Sequence, residues 1–228
     1  MPERNVAFRR PVIGLAGAIG AGKSAVAATL AEAGCVVADA DAATRAILGS
    51  PEAAETLAAW WGMGILAEDG TVDRAAVARI VFADPAERKR LEGFVHPRVQ
   101  AARAAIFAAA PAEAPALVVD APLLFEAGLD GGCDHIVFVD CPRAIRLERV
   151  AEHRGWSDEE LARREAAQWP LDRKRQRADS VLVNDADLAS LRTKVLDLLK
   201  RILAEFRDRP RDEESSDRDP AQPEPRDA

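Results

Sequence analysis

A glycine-rich segment near the N-terminus has the residue types and the spacing that suit phosphate binding. Residues 17–24 read Gly-Ala-Ile-Gly-Ala-Gly-Lys-Ser and match the pattern G-x-x-x-x-G-K-[ST]. Glycines allow such a loop to curl until successive main-chain N–H groups point inward at phosphate oxygens. Lys23 can then reach the β- and γ-phosphates of ATP, and the Ser24 hydroxyl can ligate Mg²⁺. The expected ATP-binding residues of this loop are Gly20, Ala21, Gly22, Lys23, Ser24 and Ala25.

Two other interpretations of the loop are a chance glycine-rich turn and a dinucleotide-binding loop. The dinucleotide-binding loop is an alternative because Asp39 and Asp41 follow the glycines at about the sequence distance expected of an acid that binds ribose. However, the glycines at 17, 20 and 22 run in the order G-x-x-G-x-G, the reverse of the order that a dinucleotide loop requires. The Lys-Ser pair would also have no role there, so we favour the phosphate-binding loop that contains this pair (P-loop).

Two acids follow the second apolar run. Asp39 and Asp41 come directly after residues 35–38, where a buried strand would end. Ligands of open α/β sheets bind at the carboxyl ends of the strands, so a carboxylate here can accept a proton from an attacking hydroxyl or ligate magnesium. One of the two can instead cap the helix that begins near Ala42. We expect one to be catalytic. Asp120, at the end of a later apolar run, is a second candidate magnesium-site acid or a cap.

Arginines recur every three residues at 143, 146 and 149 and therefore share one helical face, which His153 extends. Transfer of a phosphoryl group needs cations that offset its charge, and the planar fork of arginine binds phosphate oxygens in pairs. We name Arg149 as a catalytic candidate. The alternative is a solvated face whose arginines pair with nearby glutamates.

Alternating strands and helices must position these side chains. Apolar runs predict short strands at 12–16, 35–38, 116–119, 136–139 and 181–183. Helical spacing predicts helices within 42–110 and at 143–153, 158–168 and 187–206, with Ser50, Asp73, Asp84 and Ser157 as N-caps. Such alternation is typical of a parallel sheet with helices on both faces. The 42–110 stretch is too long for a simple crossover, so we predict an inserted helical subdomain.

Composition and charge argue against several classes of protein. The 228 residues suffice for one α/β domain with an insertion, and the net charge of -7 argues against a general binder of nucleic acid or of anionic membranes. The cysteines are odd in number and lack C-x-x-C pairing, which argues against disulfides or a zinc site. No apolar run approaches the length that spans a bilayer. We expect a cytoplasmic protein with no obligate protein partner.

Several stretches together resemble the dephospho-CoA kinase family. Val12–Ser24 followed by Val37–Asp41 is similar to the opening of that family, and Pro122–Glu126 is similar to its most recognisable internal motif. Further similarities lie at Asp69–Arg74, Ile80–Phe82, Leu91–Glu92, His96–Pro97, Arg164, Gln168, Lys174, Ala178–Asp179 and Asn184. The resemblance runs in family order from Val12 to Leu203.

This resemblance implies an α/β fold of the P-loop NTPase type, with three α/β/α layers around a parallel sheet, a helical acceptor-binding insertion and a helical lid. The kinase domain would cover residues 11–206. Its core would comprise 11–45, 116–142 and 178–206, its helical substrate-binding region 46–115, and its lid 143–177. A disordered acidic and proline-rich tail would follow at 207–228, where almost nothing can be buried.

The resemblance also implies a reaction: Mg-ATP would phosphorylate the ribose 3′-hydroxyl of dephospho-CoA, the last step of coenzyme A biosynthesis. Asp41 would be the base, Lys23 and Arg149 would assist catalysis, and Asn184 would join the ATP site. Ser24 would ligate the magnesium ion. The implied acceptor-binding residues are Arg45, Arg74, His96 and Leu123. At His153 the family usually has a second lid arginine, for which neighbouring Arg154 is a candidate substitute.

Two other functions are compatible with the loop alone. The first is a related P-loop kinase that acts on a nucleoside or nucleotide, although the 69–97 region and the 122–126 motif favour dephospho-CoA as acceptor. The second is a nucleotide-dependent regulatory switch. Such a switch would select guanine, but the sequence contains no N-K-x-D-like segment that reads this base.

Overall fold

A parallel five-stranded sheet forms the centre of the structure, a computed structural model that describes residues 10–208. The strands are β1 (Val12–Gly17), β2 (Val36–Asp39), β3 (Leu117–Asp120), β4 (His135–Asp140) and β5 (Ser180–Val183), in the order β2-β3-β1-β4-β5. Ile13 of β1 lies opposite Val118 of β3 on one side and His135 of β4 on the other. The predicted parallel α/β sheet is therefore confirmed, with β1 in the middle.

The helices lie in the connections between these strands and after β5. They are α1 (Lys23–Glu32), α2 (Ala40–Leu48), α3 (Pro51–Trp61), α4 (Arg74–Ala83), α5 (Pro85–Ala108), α6 (Arg143–Arg154), α7 (Asp158–Ala166), α8 (Leu171–Arg177) and α9 (Leu188–Asp208). Short 3₁₀ turns lie at Met63–Ile65 and Asp130–Gly132. Helix α8 was not predicted, because its seven residues are too few to show an apolar period.

The chain divides into two compact units. The described part of the first comprises residues 10–37 and 111–208, and the second is Ala38–Ala110. The proposed substrate-binding region, 46–115, falls largely on the second unit. Of the tail predicted at 207–228, Arg207 and Asp208 are the last residues of α9, and 209–228 lies outside the described residues.

The core of the first unit lies on both faces of the sheet. Ile13 and Leu15 of β1 pack on one face against the apolar sides of α1 and α9. Successive strand residues point to opposite faces, so Gly14 points the other way. There a Cβ on Gly14 would lie 2.8 Å from the Cys133 sulfur and 3.0 Å from Leu124, which belong to the segment that follows β3. Both faces of the sheet are thus covered, as a parallel sheet requires.

The second unit has its own apolar core. Helix α5 packs on α2 and α4, and the buried residues are Ala53, Leu57, Ile65, Val72, Val77, Phe94 and Val95.

The four predicted N-caps are confirmed, since Ser50, Asp73, Asp84 and Ser157 each accept a main-chain N–H from the first turn of their helix. Helix α5 continues through Pro97.

Within the described residues, no helix combines the length and apolar content needed to cross a bilayer.

The cysteines offer a test of this packing. Cys35, Cys133 and Cys141 are all buried, and burial raises the pKa of the Cys35 thiol from 9.0 to about 11. The thiolate is the reactive form of cysteine. We expect the folded protein at pH 8 to react with a disulfide reagent such as DTNB far more slowly than the protein in denaturant. Rapid reaction of the folded protein would contradict the buried placement of these thiols.

Candidate functional site

The loop between β1 and α1 has a backbone shape that glycine makes possible. Gly20 and Gly22 have φ angles of 77° and 88°, in the left-handed region where other residues are strained. A Cβ on Gly22 would lie 2.3 Å from the side-chain nitrogen of Asn184. Two features therefore favour glycine at position 22: the positive φ angle, and the Asn184 side chain, with which a Cβ would clash.

Some main-chain N–H groups of this loop donate to carbonyls of the loop itself, and others have no protein acceptor within residues 10–208. Ala21 donates its N–H to the Ala18 carbonyl at 3.1 Å, and Ala25 donates its N–H to the Gly22 carbonyl at 3.0 Å. Within residues 10–208, no protein acceptor takes the main-chain N–H of Gly20, Gly22, Lys23 or Ser24. These open donors surround the N-terminus of α1, whose dipole also favours an anion. The arrangement can bind phosphate oxygens, and Ala21 and Ala25 contribute to the shape of the loop.

Lys23 forms an ion pair with Asp120, the last residue of β3. Asp120 lies opposite Leu15 in the neighbouring strand β1, so strand register brings its carboxylate to the loop. Both side chains are largely buried, and each compensates the charge of the other. The ion pair therefore holds the Asp120 carboxylate at the loop.

Asn184, which follows β5, lies against the same loop. Its side-chain nitrogen donates to the Ala21 carbonyl at 2.8 Å, and its main-chain N–H donates to the Asp140 carbonyl at the end of β4. The C=O and N–H of a trans peptide point in opposite directions. Holding the Ala21 carbonyl outward therefore turns the Gly22 N–H inward.

The arginines of α6 differ in their surroundings, so they do not form one uniform solvated face. Arg143 is exposed and pairs with Asp158 of α7, whereas Arg146 is buried. Arg149 is half-buried, and its Nη1 atom lies 3.5 Å from the Cys141 sulfur and 3.5 Å from where a Cβ on Gly22 would lie. Burial raises the pKa of the Cys141 thiol, against the opposing effect of Arg149 and Arg146. A neutral thiol leaves the charge of Arg149 available to an anion beside the loop.

The resemblance implied a lid arginine at His153, with Arg154 as its candidate substitute. His153 is exposed, and the Arg154 guanidinium lies 4.8 Å from the centroid of the Trp156 ring. Arg164 also stacks on that ring, at 4.0 Å, and bonds with Glu160. Unlike the Arg154 and Arg164 guanidinium groups, which stack on Trp156, the Arg149 guanidinium lies beside Gly22 of the loop.

In the second unit, the two acids after β2 have different roles. Asp39 caps α2, because its side chain accepts the N–H of Ala42 at 2.9 Å. Asp41 lies in the first turn of the same helix with an exposed carboxylate. Arg45 is one helical turn further along, so it shares a face with Asp41.

The other predicted acceptor residues are distributed over several elements. Arg74 begins α4 and His96 lies within α5, both exposed in the second unit. Leu123 belongs to the first unit and is 45% exposed although apolar. Ser24 is exposed at the second residue of α1, where a hydroxyl oxygen is a suitable ligand for a hard cation such as Mg²⁺. Within residues 10–208, no group of three or more His, Cys, Asp or Glu side chains forms a metal site.

A buried cluster around Lys174 is a feature for which sequence reasoning found no role. Lys174 is 1% exposed, and its ammonium lies 2.8 Å from Glu126 and 2.9 Å from the Gln168 oxygen. Glu126 also accepts the main-chain N–H of Trp169 at 2.8 Å. The cluster ties the 122–126 motif to α8. The Oε1 atom of Glu126 thus bonds both the Lys174 ammonium and the Trp169 main chain.

Comparison with known proteins gives a consistent result. A family model described as dephospho-CoA kinase matches residues 11–190. The dephospho-CoA kinase of Deinococcus radiodurans is 45% identical over 181 residues, which cover 78% of this chain and 86% of that protein. The dephospho-CoA kinase of Geobacillus kaustophilus is 41% identical over 191 residues, covering 83% of this chain and 95% of the relative.

Two solved structures are similar to this chain in fold. A crystal structure from Thermus thermophilus has a TM-score of 0.75 and 37% identity, covering 87% of this chain and 99% of the other. A dephospho-CoA kinase from Campylobacter jejuni has a TM-score of 0.65 and covers 87% of this chain and 100% of the other. At 22% identity, this second structure supports the fold alone.

The shape of the loop can be tested by adding one methyl group. We expect Gly22→Ala to lower the free energy of unfolding by about 1–3 kcal/mol, because alanine is strained at a positive φ and its Cβ would meet Asn184. Urea unfolding measures this change. Gly131→Ala is the matched control, since a Cβ there meets nothing within 4 Å. Equal urea midpoints for Gly22→Ala and the wild type would contradict the described loop.

Proposed function

The chain belongs to the dephospho-CoA kinase family, and we propose that it carries out the reaction of that family with the loop between β1 and α1 as its ATP site. The reaction transfers the γ-phosphoryl group of ATP to the ribose 3′-hydroxyl of dephospho-CoA and yields coenzyme A. The observation that carries this proposal is the family match over residues 11–190, which includes the complete loop. ATP and dephospho-CoA are the partners, and we place the reaction in the cytoplasm.

The ATP phosphates bind where the loop presents its open donors. The amides of Gly20, Gly22, Lys23 and Ser24 supply hydrogen bonds that require no rearrangement during the reaction. Lys23 binds the β- and γ-phosphates, and its ion pair with Asp120 holds the ammonium at the loop before ATP arrives. Ala21, Ala25 and Asn184 complete the site by fixing the turn of the backbone. Arg149 approaches from α6 and offsets negative charge on the transferred group.

Magnesium has a suitable first ligand in Ser24. Its hydroxyl is exposed at the start of α1, next to the amides that bind the phosphates. Mg²⁺ usually binds through few protein oxygens together with phosphate oxygens and water, so one hydroxyl beside a triphosphate is a typical set. The bound ion neutralises charge on the β- and γ-phosphates.

Asp41 acts as the base toward the acceptor. The capping role at α2 is taken by Asp39, which leaves the Asp41 carboxylate exposed and able to accept the proton of the 3′-hydroxyl. Arg45, Arg74 and His96 provide positive or hydrogen-bonding groups for the phosphates of dephospho-CoA, and Leu123 provides an apolar contact. In this assignment, residues 46–115 bind the acceptor and 143–177 form the lid.

Acceptor-dependent consumption of ATP tests the reaction directly. We expect the purified protein to convert dephospho-CoA and Mg-ATP to coenzyme A and ADP, and Lys23→Ala to remove most of the activity because the phosphates lose their ammonium partner. Lys200→Ala is the matched control, since Lys200 is exposed on α9 and pairs with Asp197 of the same helix. Turnover of a nucleoside without turnover of dephospho-CoA would instead support the related nucleoside kinase.

The base can be separated from ATP binding. We expect Asp41→Asn to lower kcat by about 10²–10⁴-fold, the usual contribution of a general base, with little change in ATP affinity. Single-turnover kinetics and ATP titration measure the two effects. Asp39→Asn is the control, because asparagine caps helices as well as aspartate does. A larger loss of kcat in Asp39→Asn than in Asp41→Asn would assign the base to the other acid.

A further inference from the structure

Arg146 is a buried cation that bonds with three different segments of the first unit. It lies in α6 and is 4% exposed. Its Nε donates to the Cys141 carbonyl at 3.1 Å, and its Nη1 donates to the Ile19 carbonyl at 3.2 Å. Nη1 also forms an ion pair with Glu165 of α7. One guanidinium therefore joins the P-loop, the residue after β4 and the lid.

The bond to Ile19 affects the direction of a phosphate-binding amide. The carbonyl of Ile19 and the N–H of Gly20 belong to one trans peptide and point in opposite directions. Because Arg146 holds the carbonyl on the α6 side, the Gly20 N–H points away from α6, and no acceptor within residues 10–208 takes it. The main chain of α6 also supports the loop, since a Cβ on Gly20 would lie 3.0 Å from the Arg146 carbonyl oxygen.

Glu165 keeps Arg146 in this place. A buried guanidinium without a charged partner is costly, so its position depends on the carboxylate that compensates it. Glu165 comes from α7, in the proposed lid, and is itself largely buried in the pair. By contrast, Arg143 and Asp158 pair across the same two helices, but both are exposed. The buried pair links α7 to the loop, and the exposed pair links only the helices.

We propose that Arg146 is a positioning residue for ATP: it holds the Ile19 carbonyl outward, which aims the Gly20 amide at the phosphates, and Glu165 connects this orientation to the lid. Arg146 acts through the loop backbone, whereas Arg149 faces the loop itself. The inference rests on the proposed assignment of the loop to ATP. It gives a route by which the position of α7 influences nucleotide affinity.

The test separates positioning from simple packing. Buried ion pairs can often be replaced by apolar side chains with little loss of stability. We therefore expect Arg146→Met combined with Glu165→Leu to keep a urea midpoint close to that of the wild type. We expect its KM and Kd for ATP to rise about tenfold, the scale of one charge-assisted hydrogen bond. kcat and the KM for dephospho-CoA should stay within about twofold, because no group that touches the acceptor changes.

Two single variants keep the test decisive if the double variant does not fold. Arg146→Lys retains the charge but lacks the planar fork, so it should raise the ATP KM by about threefold to tenfold. Glu165→Gln removes the charge that holds Arg146 and should also weaken ATP binding. Arg143→Gln, the matched control, should leave ATP affinity unchanged, since its ion pair touches no loop atom.

The outcomes distinguish this inference from the assignment of the loop. Wild-type ATP affinity in the folded double variant or in Arg146→Lys would overturn the positioning role, and wild-type affinity in Glu165→Gln would overturn the link to the lid. Equal weakening by Arg143→Gln would show that general loosening of α6 and α7 is responsible. If Lys23→Ala left ATP affinity intact, the proposed ATP site itself would fail, independently of Arg146.

Discussion

Main-chain N–H groups that point toward a common centre repel one another, and each turns a carbonyl outward that needs a donor of its own. In this chain the outward carbonyls of the P-loop are satisfied from different directions. Ala18 accepts from within the loop, Ile19 accepts from Arg146, and Ala21 accepts from Asn184. The donors that could bind phosphate are thus oriented before any ligand arrives. This orientation requires buried polar groups around the loop.

The strand order explains why these partners are available. Because β1 lies between β3 and β4, with β5 next to β4, the segments that follow β3, β4 and β5 all emerge beside the loop that follows β1. Asp120, the last residue of β3, forms an ion pair with Lys23. The Cys141 carbonyl, just after β4, accepts a hydrogen bond from Arg146, and Asn184, just after β5, donates to the Ala21 carbonyl. A single topological arrangement therefore supplies an anion, a cation and an amide to one loop.

The parts of the site that depend on local spacing could be predicted from the sequence. The loop, the helix caps and the apolar face of α9 follow from residues within one or two turns of each other. The partners of Arg146 and Lys174 could not be predicted from the sequence, because each partner lies on a different element from its cation. Charged residues are also usually exposed to solvent, so burial was not expected. Arginines and glutamates at this spacing are equally compatible with solvent-exposed ion pairs. Arg146 and Glu165 are buried only because α6 packs on α7. The resemblance pointed to Lys174 and Gln168, but the structure was needed to show that they bond with each other.

Asn184 also bears on how the protein ages. Its amide is a donor toward the Ala21 carbonyl, and hydrolysis of that amide would leave a carboxylate, which can only accept. Two oxygens would then face each other next to the phosphate-binding loop, and the added negative charge would oppose an anionic ligand. Because Asn184 is buried among main-chain atoms, water has little access to the side chain that such damage would have to reach. The packing that shapes the loop thus also shields this amide from attack by water.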